Sequence, residues 1–298
     1  MIKRYSNLLL VLPLLAFVSS PSQAQNYSKH NRYRSFGISL NGLGYLGDVV
    51  PKGQTSNYSL AGTRPGVSLS ATQRLTPQLS VRTMFTYGRI AGNNTGTTDQ
   101  SQMHDKRSLG FRNDLMELSA TGVYDLIENR GDYLHRLDWV PYVFAGVAVF
   151  HHNPKGLVSG GTIPQELSAG EYVALQPLHT EGQARGYRRT QLALPFGAGV
   201  RYRINQDLDL SLEVGWRKTF TDKLDDVSGA YPDADKLKSP AARYFGHDIM
   251  IPEGATAESS IATADQWRGY SNRNDWYLVT GVTLQYVMPQ YMNRSKMR

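Results

Sequence analysis

The chain has 298 residues, a formal net charge of +7 and no cysteine. Without cysteine it can form no disulfide framework and no thiolate metal site, and we expect no lipoprotein anchor, which needs a cysteine at the cleavage point. The positive charge is mild, and no basic run with interleaved aromatic residues indicates nucleic-acid binding. Beyond the N-terminal segment no apolar run approaches 18 residues, which excludes a helical membrane protein.

The N-terminal segment has the features of a secretory signal peptide. Two basic residues precede Leu8–Val18, an apolar run that is too short to span a membrane as a helix. The small residues Ser22 and Ala24 then stand at the −3 and −1 positions of a cleavage site. We therefore predict a cleaved signal peptide over residues 1–24 and an outer-membrane β-barrel domain over residues 25–298, with a retained membrane anchor as the alternative.

Apolar and polar residues alternate with a period of two in several segments. In Leu208–Arg217 the even positions are apolar, while the odd positions are Asp, Ser, Glu, Gly and Arg. Leu192–Arg203 and Trp276–Tyr286 repeat the pattern, which places one face in oil and the other in a polar space. Five more segments fit less sharply: Phe36–Tyr45, Gly66–Arg74, Leu79–Ile90, Leu115–Leu126 and Val140–Phe150. Val140–Phe150 is apolar on both faces, so its orientation stays open.

This count predicts an all-β fold, an eight-stranded antiparallel transmembrane β-barrel. The connections support it because they differ in length. Short turns are expected around Pro77 and Gln206, and a moderate one over Glu128–Asp132. The other four connections are long: Leu46–Pro65, Ala91–Asp114, His151–Thr190 and Lys218–Asp275. Short periplasmic turns and long extracellular loops are typical of outer-membrane barrels, whereas a soluble sandwich gives no reason for the asymmetry.

Aromatic residues fall near both ends of the predicted strands. Those at the long-loop ends are Tyr87, Phe150, Trp216 and Trp276, and those at the short-turn ends are Tyr124, Tyr142, Tyr202 and Tyr286. Amphipathic rings prefer the depth of the lipid headgroups. The pattern therefore predicts two aromatic belts, one at each membrane interface.

Charged residues are predicted on the inward face of the barrel. The set is Arg82, Glu117, Arg201, Glu213 and Arg217. An eight-stranded barrel is filled by side chains, and isolated buried ions are costly, so opposite charges must pair. We expect an internal plug of ion pairs; a gated pore or a proton path is the alternative.

The long loops carry polar residues but no motif with a fixed catalytic spacing. The histidines near the long-loop rim, His104, His151, His152 and His179, are not linked to a serine and a carboxylate by any motif. We therefore predict a protein that is not an enzyme, with no catalytic, cofactor or metal site. The segment after Trp216 is the exception among the loops, because it could either cap the barrel mouth or contact a partner. Its residues of interest are Phe220, Asp222, Leu224, Asp225 and Asp226.

Several ordered blocks resemble the PorG-like outer-membrane barrels of the type IX secretion system. The blocks are Pro141–Phe150 followed by Asn153–Lys155, Leu178–Gln183, Leu194–Val200, Gly215–Ser228 and Asn274–Tyr277. The resemblance runs from about Tyr45 to Tyr286, and Gly215–Ser228 and Asn274–Tyr277 are its most specific parts. It implies a non-catalytic barrel component of a protein secretion and gliding machinery, which associates with a periplasmic ring lipoprotein and its partner protein.

The C-terminal tail is the expected docking element for such a ring. Arg294, Lys296 and Arg298 close the chain on the periplasmic side of the predicted topology. A basic tail attracts an acidic partner, and it attracts anionic lipid headgroups equally well. Two other functions remain as alternatives, namely a free-standing outer-membrane barrel for adhesion or envelope integrity and a lipid-modifying barrel enzyme.

Overall fold

The structure is a computed structural model that describes residues 32–47, 62–93, 110–129, 135–159, 162–246, 268–269 and 273–289. The predicted signal peptide and the basic C-terminal tail lie outside these residues. The strands are β1 (Tyr33–Leu46), β2 (Arg64–Arg74), β3 (Leu79–Asn93), β4 (Gly110–Asp125), β5 (Trp139–Leu157), β6 (Tyr172–Ala174), β7 (Thr190–Arg203), β8 (Leu208–Thr219) and β9 (Trp276–Pro289). A helix, α1 (Pro240–Gly246), and two 3-10 turns, Gln176–Leu178 and Ala234–Lys236, lie in the long loops. Within the described residues, no helix has the length and apolar character needed to cross a membrane.

Eight of the strands close into an antiparallel barrel. Each pairs with its neighbours in chain order, β1 pairs with β9, and β4 pairs with β5. The three-residue β6 is the exception, because it pairs only with the long-loop end of β5. The predicted eight-stranded antiparallel barrel is therefore confirmed.

The strands are strongly staggered around the barrel. Following directly paired residues once around the ring from His151 of β5 returns to the same strand at Pro141, a shift of ten residues (151 − 141). At roughly 3.3 Å per residue and 4.8 Å between strands, this stagger corresponds to a tilt of about 40°, which is in the range that closed barrels adopt.

The two faces of the strands follow the predicted alternation. On β8, Leu210 and Leu212 are exposed to the outside, while Asp209 and Arg217 are buried inside. β5, whose orientation the sequence leaves open, points Tyr142 into the barrel. Large apolar side chains thus cover the outer surface, as lipid contact requires.

Glycines on β7 and β8 explain the orientation of β5. A Cβ atom placed on Gly197 would lie 2.8 Å from Cζ of Phe144, and one on Gly215 would lie 2.7 Å from the same atom. A Cβ atom on Gly199 would lie 2.6 Å from Cζ of Tyr142. The rings of β5 therefore occupy the space that the glycines of the facing strands leave free.

The structure differs from the sequence-based prediction in the length of two strands and in the direction of two aromatic side chains. β4 begins at Gly110 and β5 continues to Leu157, because their hydrogen-bonded ladder runs beyond the apolar band. Phe150 and Tyr142 are not belt residues; both are buried inside, since they sit on the inward register of β5. The other predicted belt residues lie on the outward face, and the alternation of short and long connections is confirmed.

We expect Gly197→Val to lower the temperature at which the folded barrel unfolds. The new Cβ atom would lie 2.2 Å from the Val214 carbonyl oxygen, in addition to its contact with Phe144. Overpacking of this kind costs about 1–3 kcal/mol, and a backbone clash raises the cost. The measurement is the heat-induced gel shift of the purified barrel. Gly122→Ala is the control, because its Cβ atom would meet only a carbonyl oxygen at 3.8 Å; equal transitions for both variants would contradict the prediction.

Candidate functional site

The interior of the barrel contains a buried ion pair close to its middle. Arg82 on β3 donates to the Glu213 carboxylate on β8, and Tyr142 donates its hydroxyl to the same Oε1 atom at 2.7 Å. The guanidinium of Arg82 also lies over the ring of Phe144, 4.8 Å from its centre. The arrangement crosses the lumen with a buried ion pair, in which Nε and Nη2 of Arg82 have no hydrogen-bond partner among the described residues.

A second ion pair lies nearer the long-loop end. Nε of Arg217 is 3.5 Å from Oε2 of Glu117, and Tyr277 donates its hydroxyl to that carboxylate. Between the two pairs, hydroxyl groups bond across the strands, as in the 2.8 Å contact of Ser39 with Thr283. These bonds leave the middle of the barrel occupied rather than open.

The short-turn end of the barrel is closed by a third group of charges. Asp125 accepts from both Arg74 and Arg201, the latter at 2.7 Å. Arg136, from the connection between β4 and β5, reaches Asp209 at 2.7 Å. Paired arginines and aspartates therefore span the short-turn opening of the barrel.

All five charged residues that the sequence places inside lie on the inward face, but they form separate pairs rather than one network. Arg82 meets Glu213, Arg217 meets Glu117, and Arg201 meets a residue outside the predicted set. The residues that the sequence reasoning missed are Arg74, Asp125, Arg136, Asp209, Tyr142 and Tyr277. Asp125 could have been found, because it lies an even number of residues after Glu117 on β4 and therefore shares its inward face. Arg136 could not, because it lies in a connection, where side chains do not alternate between two faces.

The segment after β8 folds back into the barrel mouth. Leu224 and Val227 are buried in one cluster with residues of the upper barrel, including Leu43, Phe150 and Tyr277. Asn113 of β4 donates its side-chain amide to the Leu224 carbonyl oxygen at 2.7 Å. Residues 220–231, here called the cap, therefore seal the long-loop end.

Buried polar contacts hold the cap in place. Asp225 accepts the Tyr45 hydroxyl proton at 2.6 Å, and Tyr45 also lies 2.9 Å from Asp275, next to β9. Asp226 accepts the hydroxyl of Tyr187 at 2.7 Å, and its backbone carbonyl accepts from Arg268 at 2.9 Å. The two aspartates thus serve the fold of the cap, and neither presents a surface to a partner.

Asp222 of the cap is also buried, whereas Phe220 is 53% exposed on the outward side. Of the predicted partner or cap residues, Phe220 is therefore the one accessible from outside. The predicted docking residues Arg294, Lys296 and Arg298 lie outside the described part of the chain, as does His104. His152 is buried and stacks on Tyr187 with ring centres 5.9 Å apart.

Arg268 is the central cation of the cap. Its Nη1 atom is 3.2 Å from Oε1 of Glu181 and 3.0 Å from Oγ1 of Thr180. Burial alone would raise the pKa of Glu181, but the charges of Arg268 and Lys223 outweigh it and lower that pKa. Burial raises the pKa of Asp226 despite the same cation. The pKa values of these two carboxyl groups therefore shift in opposite directions beside the same cation.

The two longest loops share a small hydrophobic core above the barrel. Val158 and Leu175 from the first loop pack with Tyr231, Tyr244 and Phe245 from the second. Tyr244 and Phe245 belong to α1 and make an edge-to-face contact with ring centres 5.0 Å apart.

Over the residues that the structure describes, no group of three or more His, Asp or Glu side chains is placed to hold a metal ion.

Several solved outer-membrane proteins match the chain at low similarity. Ail of Yersinia pestis is 8% identical, with 86% of this chain and 97% of that chain covered and a TM-score of 0.36. Neisserial surface protein A is 11% identical, with 86% and 96% covered and a TM-score of 0.36. OprG of Pseudomonas aeruginosa is 9% identical, with 88% and 98% covered and a TM-score of 0.37. The fold assignment therefore rests on the strand pairing described above.

A family of related sequences is recognisable over most of the chain. No curated protein matches. The sequence model of a family described as "Domain of unknown function (DUF6089)" matches residues 9–251, which is more than half of the chain. The chain belongs to the DUF6089 family.

Proposed function

We propose that this protein is a non-catalytic outer-membrane component of the type IX protein secretion and gliding machinery. In this role the barrel anchors a periplasmic ring lipoprotein and its partner protein. The loops face the cell exterior, and the short turns with the basic tail face the periplasm. The resemblance of Gly215–Ser228 and Asn274–Tyr277 to PorG-like barrels supports the assignment to this machinery.

The observation that supports a scaffold over a conduit is the filled lumen. The pairs Arg82–Glu213 and Arg217–Glu117 cross the interior, and Leu224 seals its mouth. Buried pairs of this kind are costly to break, so they do not provide a permanent channel. A barrel closed at both ends can still offer two well-defined surfaces, one on each side of the membrane.

A free-standing surface barrel for adhesion is the second candidate. The observation that favours it is the hydrophobic core shared by the two longest loops, which gives the outer surface a fixed shape. Cells that lack the protein distinguish the two functions. Loss of cargo secretion supports the secretion role, and intact secretion with lost attachment supports adhesion.

The decisive experiment is crosslinking in intact cells that carry a tagged copy of the protein. We expect a periplasmic lipoprotein of the secretion machinery among the attached proteins, and its co-purification should drop when residues Asn293–Arg298 are deleted. Replacing Arg294, Lys296 and Arg298 with glutamine keeps the tail length and tests its charge alone. The gel shift of each variant confirms that the barrel still assembles. Recovery of the complex after the deletion would contradict docking through the tail.

A further inference from the structure

Two cationic side chains, Lys218 and Arg188, with the exposed His151 between them, form a track along the outward face of the barrel at the upper edge of the apolar band. Lys218 is the last outward cation of β8, and its Nζ atom lies 5.7 Å from the ring centre of Trp276 on the adjacent β9. Trp216, two residues below on the same face, is 39% exposed. Amphipathic tryptophans mark the membrane interface, so the ammonium group of Lys218 lies at headgroup depth.

The track continues upwards on the neighbouring strands. His151 of β5 is exposed and bonds through Nδ1 to Oγ1 of Thr190 on β7 at 3.1 Å. The amide of His152 donates to the Arg189 carbonyl at 2.9 Å, so the antiparallel alignment extends beyond the end of β7. By the period of two, Arg188 then lies on the outward side, two residues above Thr190. Its side chain is exposed.

Neighbouring strand positions supply no acidic partner for Lys218 or Arg188. The outward faces of β5, β7 and β8 carry no aspartate or glutamate. Among the described residues, no carboxylate forms an ion pair with Lys218 or Arg188. By contrast, Lys155 at the top of β5 pairs with Asp114, and Lys223 in the cap pairs with Glu181.

We propose that this track binds the phosphate groups of a phosphorylated glycolipid in the outer leaflet. Arg188 and His151 lie above the lipid-facing side chains of Leu192 and Val149, which are 59% and 46% exposed, and Lys218 lies beside the outward Leu194. An occupant must therefore carry anionic groups above acyl chains, which describes a phosphorylated lipid better than a protein. Each lysine or arginine at headgroup depth adds a similar increment to the binding free energy for anionic lipids. The inference uses the membrane and orientation of the proposed function but not the secretion role.

The test compares lipid binding of the full chain with that of the double variant Lys218→Gln and Arg188→Gln. The probe is bisphosphorylated lipid A added to the protein in nanodiscs of neutral phospholipid, with native mass spectrometry as the readout. We expect the double variant to bind about tenfold more weakly. Lys236→Gln with Arg243→Gln is the control, because it removes two exposed cations of the long loops that belong to none of the three strands of this face. Equal binding by the double variant and the control would overturn the proposal.

Two further measurements test whether binding depends on the lipid phosphates and whether the barrel has the assumed orientation. Lipid A without phosphates should bind the wild type and the double variant equally, and displacement of lipid A by millimolar inorganic phosphate would indicate a simple anion site and overturn the lipid proposal. Because the chain has no native cysteine, Ala169→Cys and Gln206→Cys report orientation. An impermeant maleimide should label Ala169→Cys on whole cells and Gln206→Cys only after permeabilisation. The reverse pattern would overturn the orientation itself, together with this inference.

Discussion

Glu213→Ala is expected to destabilise the barrel by about 3–5 kcal/mol, because it leaves a buried charge without its partner. Arg82 is 3% exposed, and its ion pair with Glu213 is the one described for it. The same change removes the acceptor of the Tyr142 hydroxyl. The heat-induced gel shift should therefore move to a clearly lower temperature.

A double replacement tests whether the effect comes from the stranded charge. Changing Glu213 to Leu and Arg82 to Met removes both partners, and a buried ion pair replaced by apolar groups is often neutral or stabilising. The double variant should therefore recover much of the loss. Asp138→Ala is the surface control, since its pair with Arg203 is largely solvated and contributes about 0–1 kcal/mol. A transition for Glu213→Ala that matches the Asp138→Ala transition would contradict the prediction.

Arg268→Met is expected to open the cap and leave the barrel intact. The substitution removes the cation that bonds to Glu181, to Thr180 and to the backbone of Asp226. Two buried carboxylates then lose a partner, at a cost of about 2–4 kcal/mol. Because the cap lies outside the strand ladder, residues 220–231 should become cleavable by protease while the gel shift of the barrel is retained.

Arg243→Met provides the matched control for this variant. Arg243 is an exposed residue of α1 in the same loop region, so its loss should leave the protease pattern unchanged. Hydrogen exchange gives an independent readout, since the amides of Leu224 and Val227 are bonded to carboxylates and should exchange faster when the cap opens. Protection of these amides that is unchanged in Arg268→Met would show that other contacts hold the cap.

The barrel could be predicted from the sequence because its main determinant is local. A lipid-facing strand must alternate, and the period of two in Leu208–Arg217 is visible without any tertiary information. The same reasoning placed Glu117 and Glu213 inside. It failed for Phe150 and Tyr142, because an apolar side chain fits lipid and a packed lumen equally well. For Tyr142, the inward side is set by the space that Gly199 leaves on the adjacent β7, and Phe150 follows because it shares the inward register of β5.

The cap could be predicted only in part, since its contacts join segments far apart in the chain. The sequence indicates that Asp225 and Asp226 belong to an unusual loop, with a cap over the barrel mouth as the favoured interpretation and a partner site as the alternative. The structure places Tyr45, 180 residues away, against Asp225. No periodic pattern encodes such a pairing, because it depends on the closure of the barrel beneath it.

The contacts of Tyr45 also set an order for assembly. Tyr45 is the penultimate residue of the first strand, Asp275 directly precedes the last strand, and the Tyr45 hydroxyl bonds to Asp275 and to Asp225 of the cap. The first and last strands pair with each other, so the bond from Tyr45 to Asp275 becomes available only when the final strand has joined the barrel. The contacts that hold the cap are therefore complete only after β9 has paired with β1. Protease resistance of the cap then shows whether the barrel has closed.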